Sequence, residues 1–259
     1  MPTRCGRARR AQRHAPHSPQ DEPTAVAQGA VPVDHRIELP RRRALPYNGA
    51  FPIRTVPPMF SGIVAACGRI EHIEPLEDGV RLSVDVAGLD LGDVAIGDSI
   101  ANSGVCLTVV AIDGTRVNFD VSRETLNCTV GLDGVGNEVN LEKALQLNDR
   151  LGGHMVTGHV DGVGEVLRFE PVGESHELVV RAPAALAGYI ARKGSITVNG
   201  VSLTVNRVDG TDFSINLIPH TVAVTNLKHL RAGSRVNLEI DLIARYVERM
   251  LAWREEAVQ

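Results

Sequence analysis

The 259-residue chain lacks the features that indicate a membrane, secreted or zinc-binding protein. No stretch approaches the roughly 20 uninterrupted apolar residues that a membrane-spanning helix needs, and the arginine-rich start is followed by no apolar core of a secretory signal. The four cysteines, at positions 5, 67, 106 and 128, form no Cys-x-x-Cys pair, which argues against a zinc site or a disulfide framework. A cytoplasmic location fits this cysteine usage best.

Metal binding by histidine is also not expected. His154 and His159 stand five residues apart, a spacing that puts two side chains on opposite faces of a strand and aligns them poorly on a helix. We therefore predict no metal site.

Acidic residues outnumber basic residues beyond residue 58. Residues 1–58 have ten arginines against four acidic residues, a balance of +6, whereas the remainder has a balance of −10. Nucleic-acid binding by the folded part is therefore not expected. A Gly-x-Gly-x-x-Gly unit is also missing, which argues against a flavoprotein reductase with a nicotinamide domain.

Residues 1–58 are predicted to be disordered. They contain ten of the fourteen prolines and show neither helical nor strand periodicity. A basic interaction arm and an organelle transit segment are alternatives, although the transit segment is disfavoured because serine is scarce. The interpretation we favour is that the true start is Met59.

Beyond Met59 the sequence is typical of an all-β protein. Short runs that alternate or cluster β-forming residues, at 81–86, 117–121, 177–180 and 213–218, lie between Asp-Gly and Gly-Asp turn signals. Many short strands of this kind favour a barrel or a sandwich.

A repeat decides the architecture. The run Ser99-Ile-Ala-Asn-Ser-Gly-Val-Cys-Leu-Thr-Val109 matches the eleven residues from Ser195 at seven positions, with an offset of 96 residues. The same offset aligns residues 59–64 with 155–160, 113–115 with 209–211, and 124–125 with 220–221. Four blocks in one register indicate a duplication. Each copy of about 90 residues suits a closed barrel with its own core.

The last segment has a helical period. Ile243, Val247, Met250 and Leu251 form one apolar stripe. A helix outside two barrels must bury that stripe, either against its own chain or against another subunit, and we favour the second.

Several motifs in fixed order resemble those of the riboflavin synthase family. They are Met59-Phe-Ser-Gly-Ile-Val64, Gly104-Val-Cys-Leu-Thr108, Gly152-Gly-His-Met-Val-Thr-Gly-His-Val160, Gly200-Val-Ser-Leu-Thr204 and Leu217-Ile-Pro-His-Thr221. The resemblance runs from Met59 to about Trp253. One departure is Asn199, where many members have aspartate. An amide cannot transfer a proton at neutral pH, so no proton-transfer role is expected at this position.

This resemblance implies a transferase with two tandem six-stranded antiparallel Greek-key barrels, at residues 59–154 and 155–240, and a C-terminal trimerisation helix at 241–256. It implies a homotrimer with active sites between the N-terminal barrel of one subunit and the C-terminal barrel of the next. Two molecules of 6,7-dimethyl-8-ribityllumazine would exchange a four-carbon unit to give riboflavin and 5-amino-6-(D-ribitylamino)uracil. No cofactor is implied, and lumazine synthase is a candidate partner.

By the same resemblance, both copies bind substrate. The N-terminal pocket would use Gly62, Ile63, Val64, Cys106, Leu107, Thr108, Asp120, Val121, Ser122, Arg123, Glu124 and Thr125. The C-terminal pocket would use Gly158, His159, Val160, Lys193, Ser202, Leu203, Thr204, Asn216, Leu217, Ile218, Pro219, His220 and Thr221. Backbone groups would pair with the pyrimidine edge of the ring, and polar side chains would bind ribityl hydroxyls.

Identical pockets would not distinguish a donor molecule from an acceptor, so the positions where the copies differ matter most. The 96-residue offset aligns Cys106 with Ser202, Phe60 with Val156, Ile63 with His159, and Glu124 with His220. We take these differences as the origin of a division of labour.

Five residues are the candidates for catalysis. We expect His159 to act as a proton shuttle, because imidazole titrates near neutral pH. Cys106 would add to or hydrogen-bond the acceptor, unless it is a small buried apolar residue, as free cysteines usually are. Phe60 is a candidate aromatic lid over the ring, and Ser99 and Ser202 are candidate hydrogen-bond donors.

The alternative function is a non-catalytic binding protein of the same fold, such as the lumazine proteins that carry a fluorescent ligand as an optical antenna. Such a protein needs one good pocket and no chemistry. The presence of Cys106, His159, Ser202 and Lys193 favours the enzyme.

Overall fold

The computed structural model describes residues 58–256. The extension predicted to be disordered therefore lies outside the described residues, except for Pro58. Within the described range, no helix is both long and apolar enough to cross a membrane.

Two closed six-stranded antiparallel barrels follow each other along the chain. The first consists of β1 (Ala66–Leu76), β2 (Gly79–Asp85), β3 (Ser99–Asn102), β4 (Val105–Asp113), β5 (Arg116–Ser122) and β6 (Glu138–Lys143). The second consists of β7 (Gly162–Val172), β8 (Ser175–Arg181), β9 (Ser195–Val198), β10 (Val201–Asp209), β11 (Asp212–Leu217) and β12 (Arg235–Ile240). The strands follow the same order around both barrels, β1-β2-β5-β4-β3-β6 and β7-β8-β11-β10-β9-β12. The predicted fold class is confirmed.

Short helices follow equivalent strands. Helix α1 (Arg123–Cys128) comes after β5 and α2 (Pro219–Val224) after β11, while 3-10 turns lie at Ala184–Tyr189 and Asn226–His229. The Ser122 hydroxyl caps α1 by accepting the Thr125 N–H at 3.1 Å. Proline starts α2, where its missing N–H needs no partner.

Strand β5 illustrates why these sequences form barrels. Val117, Phe119 and Val121 are buried, and the polar residues between them lie towards the outside. In strand β11, Phe213, Ile215 and Leu217 are likewise buried, and Ser214 between them is buried as well. Because side chains alternate between the two faces of a strand, each barrel encloses its own apolar core.

The two barrels meet at equivalent hairpin turns. Ser103-Gly104 joins β3 to β4 and Asn199-Gly200 joins β9 to β10, and all four residues have φ between 46° and 82°. Positive φ at both central residues defines the tight turn that suits the twist of a hairpin. A Cβ on Gly104 would lie 2.8 Å from the Gly200 nitrogen, and one on Gly200 would lie 2.6 Å from the Gly104 nitrogen. Only glycine permits this contact about the pseudo-twofold axis.

Asn199 forms hydrogen bonds that support this contact. Its Oδ1 accepts the Asn237 N–H at 2.8 Å, and its own carbonyl accepts the Asn140 side-chain amide at 2.8 Å. Asparagine also tolerates the left-handed conformation better than most residues. The side chain of Asn199 therefore fixes the turn to β12, while its backbone carbonyl joins the two barrels.

The C-terminal helix α3 (Leu242–Glu256) is confirmed, and its apolar stripe is largely uncovered. Ile243, Val247, Met250 and Leu251 are 58%, 49%, 68% and 55% exposed. A cavity of about 900 Å³ separates the helix from the Ala184–Tyr189 turn. Packing within the described chain therefore buries the stripe only in part.

Candidate active site

Each copy begins with a short segment that crosses to the other barrel. In the first crossing segment, residues 61–65, the Gly62 carbonyl accepts the Ser202 N–H at 2.8 Å. In the second crossing segment, residues 157–161, the Gly158 carbonyl accepts the Cys106 N–H at 2.8 Å. Each segment therefore lies on a strand of the other copy.

Each crossing segment also packs its apolar side chain against the barrel of the other copy. Val64 packs against the core of the second barrel, and Val160 packs against the core of the first. The expected grouping of Gly62, Ile63 and Val64 with Cys106 is therefore wrong within this chain. A sequence repeat cannot reveal this, because both copies carry the same segment.

Glycine is required where each segment approaches its strand. Gly62 and Gly158 both have φ of +75°. A Cβ would lie 2.6 Å from the Ser202 Cβ at Gly62, and 2.6 Å from the Cys106 Cβ at Gly158. Both the backbone conformation and the contact exclude a larger residue.

The first candidate site, which we call the Cys106 site, lies where β4 and β5 separate. Their ladder ends at the pair Val109 and Phe119, and the second crossing segment contacts the free edge of β4 at Cys106. The predicted residues on these elements are Cys106, Leu107 and Thr108 on β4, Asp120, Val121 and Ser122 on β5, Arg123, Glu124 and Thr125 on α1, and Gly158, His159 and Val160 in the crossing segment.

Not all side chains of the Cys106 site are free for a ligand. Leu107 and Val121 are buried in the barrel core, whereas Glu124 is exposed. Asp120 accepts two hydrogen bonds from Arg81 at 2.7 and 2.9 Å. The pKa of Asp120 is lowered by this pairing, so the carboxylate already has a partner.

The second candidate site, the Ser202 site, lies at the equivalent break between β10 and β11, beyond the pair Val205 and Ile215. The predicted residues on these elements are Gly62, Ile63 and Val64 in the first crossing segment, Lys193 before β9, Ser202, Leu203 and Thr204 on β10, and Asn216, Leu217, Ile218, Pro219, His220 and Thr221 at the end of β11 and in α2.

Lys193 has an unusual backbone conformation in the Ser202 site. Its φ is 66°, whereas its counterpart in the first copy is Gly97 with φ of 97°. The Lys193 N–H donates to the Val205 carbonyl at 2.7 Å, and its Nζ donates to Asn206 Oδ1 at 3.3 Å. A left-handed backbone conformation costs conformational energy at a lysine. Backbone strain of this kind is common at functional sites.

Cys106 is a half-buried thiol. Burial raises its pKa, a hydrogen bond with Ser99 opposes the rise, and the Glu239 carboxylate adds to it. In the β3–β4 ladder Ser99 pairs with Thr108 and Cys106 pairs with Ala101, so Ser99 and Cys106 are diagonal neighbours. At neutral pH the group is therefore a thiol, which can donate a hydrogen bond but needs a base before it can act as a nucleophile.

His159 lies at the surface of the second crossing segment. Its side chain is exposed, like that of its counterpart Ile63, which is 52% exposed. Its carbonyl accepts a hydrogen bond from Arg245 at 3.3 Å. The main chain at His159 is thus tethered, and the role of the imidazole as a proton shuttle stays a prediction.

His154 is a further site residue, which was not among those predicted from the sequence. His154 is 9% exposed, its Nδ1 lies 2.7 Å from the Ser202 hydroxyl, and its Nε2 lies 3.4 Å from the Thr197 hydroxyl. Burial lowers the pKa of His154, although the Asp241 carboxylate opposes this. A neutral imidazole beside a hydroxyl can exchange a proton with it. The sequence signal for His154 was the motif from Gly152 to Val160, which contains both His154 and His159.

Phe60 is not the expected aromatic lid. It is fully buried, and its N–H donates to the Val156 carbonyl at 2.7 Å. With Ala101 and Val156 it forms a small apolar cluster against which Cys106 packs. A ring at this depth supports the rear of the site and cannot cover a ligand from solvent.

Two buried glutamates, neither of them among the predicted site residues, hold the crossing segments. Glu142 accepts the Ser61 N–H at 2.7 Å, the Ser61 hydroxyl at 2.6 Å and the Gly62 N–H at 2.9 Å. Glu239 accepts the equivalent groups of residues 157 and 158 at 2.7, 2.7 and 2.9 Å. Burial raises the pKa of both glutamates, and these hydrogen bonds oppose the rise.

Glu142 and Glu239 stand 97 residues apart, one more than the repeat offset. An inserted residue before β12 therefore hides their equivalence in a fixed-register comparison. Among residues 58–256, no group of three or more His, Cys, Asp or Glu side chains is arranged to hold a metal ion.

A family model defines the class of protein. The Lumazine binding domain matches residues 61–144 and 157–241. These two ranges begin at the crossing segments and contain the two barrels. The fold and the paired sites are therefore those of a tandem lumazine-binding protein.

Curated relatives narrow this class. A riboflavin synthase of Photobacterium phosphoreum is 45% identical over 194 residues, which are 74% of this chain and 89% of the relative. Riboflavin synthases of Brucella abortus (strain 2308) and Bacillus subtilis (strain 168) are 41% and 39% identical, over 76% and 74% of this chain and 100% and 90% of the relatives. The chain belongs to the riboflavin synthase family, whose members are transferases.

Solved structures of LumP have the same fold. LumP complexed with 6,7-dimethyl-8-(1'-D-ribityl) lumazine has a TM-score of 0.62 at 30% identity, and LumP complexed with riboflavin has a TM-score of 0.63 at 31% identity. Each match covers 70% of this chain and 98% of LumP.

Proposed function

We propose that the protein is a riboflavin synthase that converts two molecules of 6,7-dimethyl-8-ribityllumazine into riboflavin and 5-amino-6-(D-ribitylamino)uracil by transfer of a four-carbon unit. The observation that carries this proposal is the presence of two equivalent sites with different side chains at one position, Cys106 in one and Ser202 in the other. A reaction between two identical molecules needs such paired but unequal sites.

The chemistry requires mainly positioning and proton transfer. The 7-methyl protons of the lumazine are acidic through conjugation with the electron-poor ring, so the protein must hold two rings together and move protons. The neutral His154 beside the Ser202 hydroxyl supplies one proton-transfer pair. The Cys106 thiol and Ser99 supply hydrogen-bond donors at the other site. We retain His159 as the proton shuttle at the rim of the Cys106 site.

Incubation of the purified protein with the lumazine alone tests this proposal. We expect riboflavin absorbance to rise, with two lumazine molecules consumed for each riboflavin formed. Cys106→Ser, which makes the two sites alike at this position, should lower turnover, whereas Cys67→Ser, at a free cysteine on β1 outside both sites, should leave it unchanged. Equal activity of the two variants would contradict the role of Cys106.

The second candidate function is a non-catalytic lumazine or flavin carrier, which the likeness to LumP favours. A carrier would bind the lumazine and release no riboflavin from it. Tight binding without turnover by the unaltered protein would therefore select this alternative.

We further propose a homotrimer in which α3 packs between subunits. The exposed apolar stripe on α3 supports this assembly. Light scattering on the purified full chain should give three times the mass of one chain. A cytoplasmic location and an association with lumazine synthase remain expectations from the family resemblance.

A further inference from the structure

Most backbone contacts of the two crossing segments are matched, although the Ser61 carbonyl of the first segment also accepts the His154 N–H at 3.1 Å. Their side-chain contacts differ. The Ala65 N–H donates to the Leu141 carbonyl at 2.8 Å, and the N–H of Asp161, its counterpart, donates to the Leu238 carbonyl at 2.8 Å. The three hydrogen bonds to the buried glutamates are matched as well. The copies differ at this point because Asp161 has a carboxylate where Ala65 has a methyl group.

The Asp161 carboxylate binds helix α3. Arg245 Nη1 lies 2.6 Å from Asp161 Oδ1, and Arg245 Nη2 donates to Asp161 Oδ2 at 2.7 Å. The same Oδ2 accepts the Ile240 N–H at 2.9 Å. The Asp161 side chain is 12% exposed, so water screens this two-point pair less than it would screen a surface pair.

The same guanidinium also reaches the residue expected to shuttle protons. Arg245 Nη2 donates to the His159 carbonyl at 3.3 Å. The second crossing segment is therefore fixed near its start by Glu239, and at His159 and Asp161 by Arg245. Ala65 has no side-chain acceptor, so within residues 58–256 the first crossing segment lacks a charged anchor at this position.

This second anchor acts on the Cys106 site, because the Gly158 carbonyl binds the Cys106 N–H directly. We propose that Arg245 is a positioning residue that holds the second crossing segment, and His159 with it, against the Cys106 site, and so makes that site more rigid than the Ser202 site. The inference rests on the proposed function for its catalytic consequence. A more rigid site loses less conformational entropy when it binds a ligand, so the Cys106 site fills first.

Amide hydrogen exchange of the full-length protein tests the rigidity. In the unaltered protein, residues 157–161 should exchange more slowly than residues 61–65. Arg245→Met, which keeps the apolar stem of the side chain, should raise exchange at 157–161 by about tenfold or more and leave 61–65 unchanged. Arg245→Lys should fall between, since an ammonium cannot form the two-point fork.

The matched control is Arg249→Met on the same helix. Arg249 lies over the Trp253 ring and pairs with Glu256, which are contacts within α3. Its replacement should change exchange at neither crossing segment. A general loosening of α3 would instead make the Arg245 and Arg249 variants alike.

Lumazine titration followed by fluorescence gives a second readout. Arg245→Met should weaken binding about tenfold at the tighter site and leave the weaker site unchanged, whereas Arg249→Met should alter neither. Loss of the tighter phase without loss of the other is a result that a merely structural role of Arg245 would not produce.

Equal exchange at 157–161 and 61–65 in the unaltered protein would overturn the proposal, as would the same response of both segments to Arg245→Met. If Arg245→Met does not fold, the unaltered protein and Arg245→Lys decide the question. Neither readout needs turnover. Failure to make riboflavin would therefore refute the proposed function, while hydrogen exchange tests the anchor separately.

Discussion

Replacement of Gly158 by alanine should damage both the fold and the Cys106 site. An alanine at φ of +75° costs about 1–2 kcal/mol, because its Cβ crowds the following carbonyl in a left-handed conformation. Its Cβ would also lie 2.6 Å from the Cys106 Cβ and 3.0 Å from the Phe60 ring. Overpacking of this kind costs about 1–3 kcal/mol more. We therefore expect Gly158→Ala to lower the free energy of unfolding by about 2–5 kcal/mol.

Gly114→Ala is the matched control. Gly114 has φ of +61° in the turn between β4 and β5, and no atom of the described residues lies within 4 Å of the position of an added Cβ. It should cost only the conformational part, about 1–2 kcal/mol. Urea unfolding followed by circular dichroism measures both variants. Equal loss of stability would refute the argument that close contact between the second crossing segment and Cys106 requires glycine.

Activity should separate the two glycine variants as well. Displacement of Gly158 moves the wall of the Cys106 site, so turnover of the lumazine should fall in Gly158→Ala at temperatures where the variant remains folded. Gly114→Ala lies at a distant turn and should retain the turnover of the unaltered protein.

The fold was predictable from the sequence because its causes are local and repeated. The Ser103-Gly104 and Asn199-Gly200 turns recur at a constant offset, and alternating apolar residues such as Val117 and Phe119 mark the strands between turns. Duplication of such a pattern indicates two similar all-β units, and a length of about 90 residues for each favours a closed barrel. The number of strands in each barrel came from the family resemblance. The apolar stripe on α3 was predictable for the same reason, because its helical period lies within one short segment.

The pairing of elements across the axis was not predictable, because it depends on tertiary contacts that the repeat leaves undetermined. Gly62 could belong with Cys106 or with Ser202, and both arrangements satisfy the same sequence pattern. The partner of His154 was hidden for a similar reason, since Ser202 lies 48 residues away and no local pattern links the two residues. The burial of Phe60 likewise results from contact with the second copy.

Three further predictions concern charge and assembly. Val247→Glu should convert the proposed trimer into monomers, measured by light scattering at several concentrations, because it places a charge in the α3 stripe. Burial lowers the pKa of His154, so its stability contribution is present above the unfolded value of about 6.5 and is lost as pH falls through the lower folded value; His154→Gln should flatten that loss in urea titrations across this pH range. Glu239→Gln should lower the pKa of the Cys106 thiol, because a neighbouring negative charge disfavours the thiolate and the substitution removes it. In a background with the other cysteines replaced by serine, Cys106 should then be alkylated faster at a fixed pH, and Glu142→Gln, the matched change in the first copy, should leave that rate unaltered. The same acceleration in both glutamine variants would mean that loosening of the crossing segments, and not the charge of Glu239, controls the thiol.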